Sequence, residues 1–486
     1  MSIFSILLLI PIISLGLIFN STIIASNNLL ALKPKIAAAY AQSSANSIDK
    51  DHIAFGVPIN ISNNTRDSVY SQVATHNNTV YVVWEEDTAV DSTTNKQELP
   101  ASDSTNYDIY FKRSTDGGLT FSKAINISTN PGFSQHPQIA VSGRNVYISW
   151  TDDTSNNKEI LFRMSNDEGN SFGRTIKISD DIGESYNQEI SSYENNVYVV
   201  WENKLDNTNH IKITGSNNTI GIGEGDINNA PDVKDVFGVN NKRILFKAST
   251  DGGNSFKNAE IITTNLGEIA DLYPKIAASQ NYVYLTWSLG MTTTTIEGRV
   301  INYGNNNNSN NNVIEPKQGI YFTKSSDNGG NFTNAVKLNS EAGHAGESQI
   351  AAYGNQVYVV WSGNSDNLIP NDLYFIKSTD NGKSFTAEST LSKKSSLNAE
   401  LAVDRNNVYV IWQDFLRPTN QEILIKKSTD GGDSFTNTST NISNNIGTSE
   451  CPSIAISKNI IYTMWEDDTP GNHEIYFSRG SNSVIP

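Results

Sequence analysis

The chain has 486 residues, with 51 acidic side chains against 35 basic ones and a formal charge of −16. That balance excludes a generalised nucleic-acid surface, which needs clustered Lys and Arg to neutralise phosphates. Cys451 is the one cysteine, so no intrachain disulfide can form and the fold must close by packing and strand pairing.

The N-terminus opens with an uncharged apolar run from Ile3 to Phe19, and a small-residue site, Ala39-Tyr40-Ala41, follows before the polar stretch QSSANS. Residues 1–41 read as an export signal. The run lacks a basic flank and lies far from the cleavage site, which leaves an uncleaved membrane anchor as the alternative. Either reading puts the body outside the cytoplasm, secreted or held at the cell surface. Sequons such as Asn60, Asn126 and Asn331 suit an exported glycoprotein. Residues 42–54 read as a linker.

From residue 55 onward one unit recurs seven times, in SQVATHNNTVYVVW (71–84), PQIAVSGRNVYISW (137–150), QEISSYENNVYVVW (188–201), PKIAASQNYVYLTW (274–287), SQIAAYGNQVYVVW (348–361), AELAVDRNNVYVIW (399–412) and PSIAISKNIIYTMW (452–465). Each unit is an apolar run, a polar turn with Asn or Gly, and a Val/Tyr/Ile-rich run, the signature of a β-hairpin. A third strand such as EILFRMS (159–165) and a fourth such as AINIS (124–128) follow. Four short strands repeated radially predict an all-β propeller of seven four-stranded blades over residues 55–486. The seventh unit stops after its third strand, while FGVPINIS (55–62) matches the fourth-strand segment FSKAINIS (121–128). The N-terminal strand is therefore expected to close the last blade.

Between third and fourth strands lies a second signature, as in STDGGLTF (114–121) and STDGGNSF (249–256), with six copies centred on Asp116, Asp167, Asp251, Asp327, Asp380 and Asp430. Its chemistry is structural. The Asp accepts hydrogen bonds from turn amides and a hydroxyl, the Gly permits positive φ, and the Phe anchors the turn. The signature resembles the Asp box, or BNR repeat, of sialidase-like β-propellers.

That resemblance implies an exo-sialidase alternative. Such enzymes have six blades, three arginines on the substrate carboxylate, one of them in a Phe-Arg-Ile-Pro motif, a tyrosine nucleophile paired with Glu, and an Asp acid/base. Here the matching segment is Phe55-Gly56-Val57-Pro58, with Gly56 in place of the arginine. Only Arg66, Arg243, Arg299 and Arg417 fall on the side where substrate would enter. Seven-bladed relatives in this superfamily include xyloglucan-cleaving hydrolases and a photosystem assembly factor, so the box is neutral about catalysis.

Strand alternation places the boxes on one face and the loops joining strands two and three on the other. Three insertions, at 85–107, Asn203 to Lys242 and Leu289 to Lys317, fall in those loops. On the same face, the starts of the innermost strands should line the channel mouth. One set there is Gln72, Gln138, Glu189, Lys275, Gln349, Glu400 and Ser453, and two residues earlier stand Tyr70, His136, Asn187, Tyr273, Glu347, Asn398 and Cys451. Such a funnel suits a polar ligand. Acidic clusters after three tryptophans (Glu86-Asp87-Thr88, Asp152-Asp153-Thr154, Asp467-Asp468-Thr469) raise calcium, but no full ligand set is visible and loop capping is the simpler account. No metal or other cofactor is expected.

The expectation is an extracellular propeller that binds a glycan or a cell-surface protein through its loop-rich face, without catalysis. The alternatives are a glycoside hydrolase, with Glu189, Glu347, Glu400, Tyr70 and Tyr273 as candidates, and a structural role in a cell envelope.

Overall fold

The computed structural model describes residues 53–88, 106–179, 183–204, 211–214, 219–222, 242–263, 272–289, 293–296, 299–302, 319–339, 344–364, 372–393, 396–417 and 420–481. The leader, residues 42–52 of the linker and much of the three insertions lie outside them. Among the described residues there is no helix, and seven four-stranded antiparallel blades form a β-propeller. Blade 1 runs outward through Ser68–His76, Thr79–Asp87, Tyr107–Ser114 and Ile125–Asn126. The other innermost strands are Ser134–Ser142, Glu184–Tyr193, Lys275–Ser279, His344–Tyr353, Ser396–Asp404 and Ser449–Ser457. Within two of the insertions, Ile211–Thr214 pairs with Thr219–Ile222 and Thr293–Ile296 with Arg299–Asn302.

The second strand of each blade is the most buried, because it meets a neighbouring blade on both faces. Successive side chains point to opposite faces of a strand, so residues three apart serve different interfaces. Tyr81 of blade 1 packs with Val146, Ile148 and Trp150 of blade 2, while Trp84 packs with Tyr462, Met464 and Phe477 of blade 7. The same Tyr-forward, Trp-backward arrangement recurs around the ring. The core is thus seven clusters, each lying between two adjacent blades.

The six Ser-x-Asp turns staple each blade to the one before it. Ser114 and Thr120 donate their hydroxyls to Asp116, both at 2.6 Å, and the amides of Leu119 and Thr120 donate to Asp116 Oδ1. The pattern repeats at Asp167, Asp251, Asp327, Asp380 and Asp430, with Asn331 in place of the second hydroxyl at Asp327. Hydrogen bonds from Ser171 and Ser165 hold Asp167 at a pKa of about 2. With its carboxylate closed inside its own turn, the Asp serves geometry. Gly117 and Gly118 have φ of +71° and +85°, and Gly118 lies against the Phe477 ring, where a Cβ would come within 2.6 Å. Phe121 then meets Phe477 edge-on, at 5.1 Å between centroids.

Among the described residues blade 7 has no such turn, and the segment from Ala54 to Asn60 takes its place. Ala54–Phe55 pairs with Phe55 opposite Gly480 and Ala54 opposite Ser481, and Ile59–Asn60 pairs with Phe477 and Tyr476. Phe55 occupies the sequence position of the turn phenylalanine and packs with Ile53 on a cluster that includes Ile425 of blade 6. Ile425 stands where Phe111, Phe162, Phe246, Phe322, Phe375 and Phe477 stand in the other blades. The apolar contact survives, although it is now made between residues at opposite ends of the chain. Replacing Phe55 by Ala removes a half-buried ring from this seam. The expected loss is about 2 kcal/mol, read as a lower midpoint of urea unfolding with an unchanged slope.

Candidate functional site

The channel mouth is built from bulges. The register of the innermost strand slips between Val69 and Gln72, Gln135 and Gln138, Tyr186 and Glu189, Ala345 and Ser348, Leu397 and Glu400, and Glu450 and Ser453. At this position Tyr70, His136, Asn187, Tyr273, Asn398 and Cys451 have φ between 42° and 52°. Left-handed backbone is unfavourable for residues with a Cβ and needs support from its surroundings. A bulge also re-aims side chains, and in blades 1, 2, 3, 5, 6 and 7 it turns one residue onto the rim, whereas in blade 4 Tyr273 stands just before the strand Lys275–Ser279, which shows no slip.

For Tyr70, His136, Tyr273 and Cys451 the support comes from the residue that follows the tryptophan of the preceding blade. Glu466 accepts the Tyr70 amide at 2.7 Å, Glu85 accepts the His136 amide, and Glu202 Oε1 accepts the amides of Leu272 and Tyr273 at 2.8 and 2.7 Å. Gln413 plays this part for Cys451 at 3.4 Å. Thr151 donates to Gln188, which donates to the His136 carbonyl, and Ser288 donates to the Gly346 carbonyl at 2.6 Å. The hairpin reading overlooked these residues. Their signal in the sequence is a polar residue at one fixed register, directly after Trp, in an otherwise apolar strand.

Several rim residues expected to face a ligand are already engaged, two within their own blade and one across a blade boundary. Asn187 donates to Glu202 at 3.0 Å, Asn398 donates to Gln413 at 2.8 Å, and Gln72 accepts from Ser453 at 3.2 Å. Gln138 and Gln349 are half-buried in the channel wall. Tyr70 is 45% exposed, and its ring lies 4.7 Å from that of His136. Burial pushes the Tyr70 phenol up to about 12 and the His136 imidazole down to about 4, so both are neutral at pH 7.

Deeper in the mouth the charged residues converge. Lys275 of blade 4 donates to Glu189 of blade 3 at 2.5 Å. Burial opposes the lysine's charge, but Glu189 and then Glu347 outweigh it and raise its pKa. Burial lifts Glu400, from blade 6 across the ring, to about 7; Lys275 pulls against that shift and Glu189 adds to it. Gln72 and the Ile454 amide hydrogen-bond to Glu400. Glu347 is exposed on the rim of blade 5.

The arginines and acidic clusters are engaged elsewhere. Arg66 pairs with Asp87 at 3.8 Å, and buried Arg243 donates to Asn203 at 2.9 Å, while the side chains of Arg299 and Arg417 lie outside the described residues. Asp152 accepts from the Trp150 indole and from Ser134, and Asp467 accepts from Trp465 and Ser449. Asp153 and Asp468 cap the amides of Phe133 and Thr448 at 2.7 and 2.6 Å. These carboxylates close loops, as the capping account expects.

No protein-family model matches the chain, and no curated protein matches it in sequence. Among solved structures it is similar to a protein of unknown function from Dyadobacter fermentans, at 12% identity and a TM-score of 0.48, over 88% of this chain and 99% of that one. It is also similar to a sialidase from Streptococcus pneumoniae, at 10% identity and 0.46, over 83% of each chain. An α-L-arabinofuranosidase from Fusarium graminearum matches at 13% identity and 0.46, over 89% and 99%.

The buried acids make stability depend on pH with a defined sign. Burial raises Glu85 to about 8 and Glu466 to about 7, so above their ordinary value the folded chain holds protons that the unfolded chain has released. Stability therefore falls as pH rises through these values. His136, depressed from 6.5, acts in the opposite sense only below that pH. Thermal unfolding measured from about pH 6.5 to about pH 8 should show a declining midpoint. Glu85→Gln, which cannot ionise, should flatten that decline.

Proposed function

We propose that this protein is a secreted or surface-held Asp-box propeller that binds a glycan at its channel mouth and hydrolyses it. The carrying observation is the arrangement of Glu189, held by Lys275 at 2.5 Å, with Glu400 reaching the same charge cluster from across the ring. The expectation of binding without catalysis gives way here because the two carboxyls have different partners. Glycoside hydrolysis uses one carboxyl as acid and another as carboxylate, and environments that separate two such groups assign the roles.

In this reading Glu400, with its pKa near neutrality, gives its proton to the leaving oxygen as the glycosidic C–O bond breaks. Burial raises the Glu189 carboxyl while its salt bridge to Lys275 pulls the other way, and in its carboxylate form Glu189 takes the proton of the water that adds to the anomeric carbon. Tyr70 offers an exposed ring for the apolar face of a sugar, and Gln72 orients Glu400. Sialidase chemistry is not the favoured form, since Gly56 stands in the arginine position and Arg66 and Arg243 are engaged. Binding without turnover is the second reading, favoured by the amides that already knit the rim. The apolar leader and the sequons support an exported location.

Hydrolysis of a panel of aryl glycosides by the purified protein tests this. Turnover should fall as pH rises through about 7, and Glu400→Gln should lower kcat by at least about 100-fold and abolish that limb. Glu189→Gln should lower it similarly. A folded protein that binds glycans but turns over no substrate would leave the binding reading in place.

A further inference from the structure

Where blade 7 meets blade 1, on the face of the Ser-x-Asp turns, lies a cavity of about 450 Å³ walled by Phe55, Val57, Ile59, Leu119 and Phe477. Val57 is 89% exposed, Leu119 64% and Ile59 39%, so the walls open onto an apolar surface. Apolar side chains grouped in this way favour an apolar occupant. Arg479 is the only charged residue of the lining. Strand alternation turns it to the same side as Phe477, whose ring meets Gly118 of the blade 1 turn. At the same register in three other blades the basic side chain is spent on the turn of the next blade. Arg113 donates to the Glu168 carbonyl at 2.8 Å and to Asn170, and Lys324 donates to the Asn381 carbonyl at 2.6 Å. Lys377 donates to the Gly431 carbonyl and pairs with Asp433, both at 2.8 Å. Arg479 has no such acceptor among the described residues, and its Nε is buried without a hydrogen-bond partner. Leu119 stands where Asn170 and Asp433 stand in their own turns, so the turn facing Arg479 offers an apolar side chain in place of an acceptor. A half-buried guanidinium set among apolar groups is costly until an anion meets it.

We infer that this cavity is a second ligand site, for a small amphiphilic carboxylate. Arg479 receives the carboxylate, a match to its planar fork of donors, and Phe55, Val57, Leu119 and Phe477 cover the apolar body. The volume is that of a small-molecule site. One cation balances one negative charge. A phosphate monoester would bring a second charge into apolar surroundings with nothing to balance it. An ammonium group would meet Arg479 as a like charge, and a neutral hydrocarbon would leave the guanidinium unmatched. The site lies at the other end of the strands from the channel mouth and is independent of what is bound or cleaved there.

The test is calorimetric titration of the full chain at pH 7 with decanoate, kept below its micelle concentration, against acetate, decyl phosphate and decylammonium. Decanoate should bind with a Kd below about 1 mM, and acetate and decylammonium at least about tenfold more weakly. Arg479→Gln should weaken decanoate at least about tenfold. Leu119→Asp gives Arg479 the kind of carboxylate that Lys377 has in Asp433, so it should abolish decanoate binding and leave the thermal unfolding midpoint unchanged or higher. This variant sits on an exposed turn position and keeps the test decisive should Arg479→Gln fail to fold. Absence of decanoate binding, equal binding of decylammonium, tighter binding of decyl phosphate, or unchanged affinity in Leu119→Asp would each overturn the assignment. Self-association that Leu119→Asp abolishes, with no decanoate bound, would overturn it in favour of a second copy of the chain on this surface.

Discussion

The second strand of each blade is buried on both faces, and a chain built of such strands has no stable open form. Each tryptophan needs the preceding blade to cover it, and each tyrosine three residues earlier needs the following one. A stack of blades satisfies this everywhere except at its two ends. Closing the ring removes the ends, and with them the exposed strand edges that would pair with other chains. With Cys451 as the lone cysteine, the closure is made entirely by hydrogen-bonded strands and by Phe55 and Ile53 seated on blade 6.

The site inherits its chemistry from that closure. Once seven innermost strands surround an axis, their bulges face one another, and the residue after each tryptophan lies within reach of the next bulge. Carboxyls suit this place because a backbone amide in the left-handed region needs an acceptor. The same burial that lets Glu85 and Glu466 hold those amides raises their proton affinity. Stability and site electrostatics are therefore two consequences of one packing arrangement. Glu189, Lys275 and Glu400 sit one layer further in, where low polarity strengthens every charge interaction.

The six Ser-x-Asp turns and the channel mouth lie at opposite ends of the strands and divide the labour. The turns, with their glycines pressed on aromatic rings of the preceding blade, fix the angle between blades. The rim, relieved of that task, carries the residues that vary from blade to blade: Tyr70, His136, Asn187, Tyr273, Glu347, Asn398 and Cys451. The insertions also fall on the rim side.

The repeat period, the Trp register and the match between FGVPINIS and FSKAINIS were enough to specify the blades, their number and the N-terminal closure. These features are local patterns of side-chain alternation, and alternation is written along the chain. The sequence also located the rim, since one fixed position per repeat must fall at one fixed height. It could not reveal that Asn187 and Asn398 are spent on Glu202 and Gln413, or that Lys275 is matched with Glu189 and not with Glu347 or Glu400. The first two lie within single blades and the third joins residues of two blades 86 positions apart in the chain, and all three depend on how far each bulge turns its side chain and how much water the closed ring excludes. Proton affinities and partners are set by distance and burial, which exist only once the ring has closed.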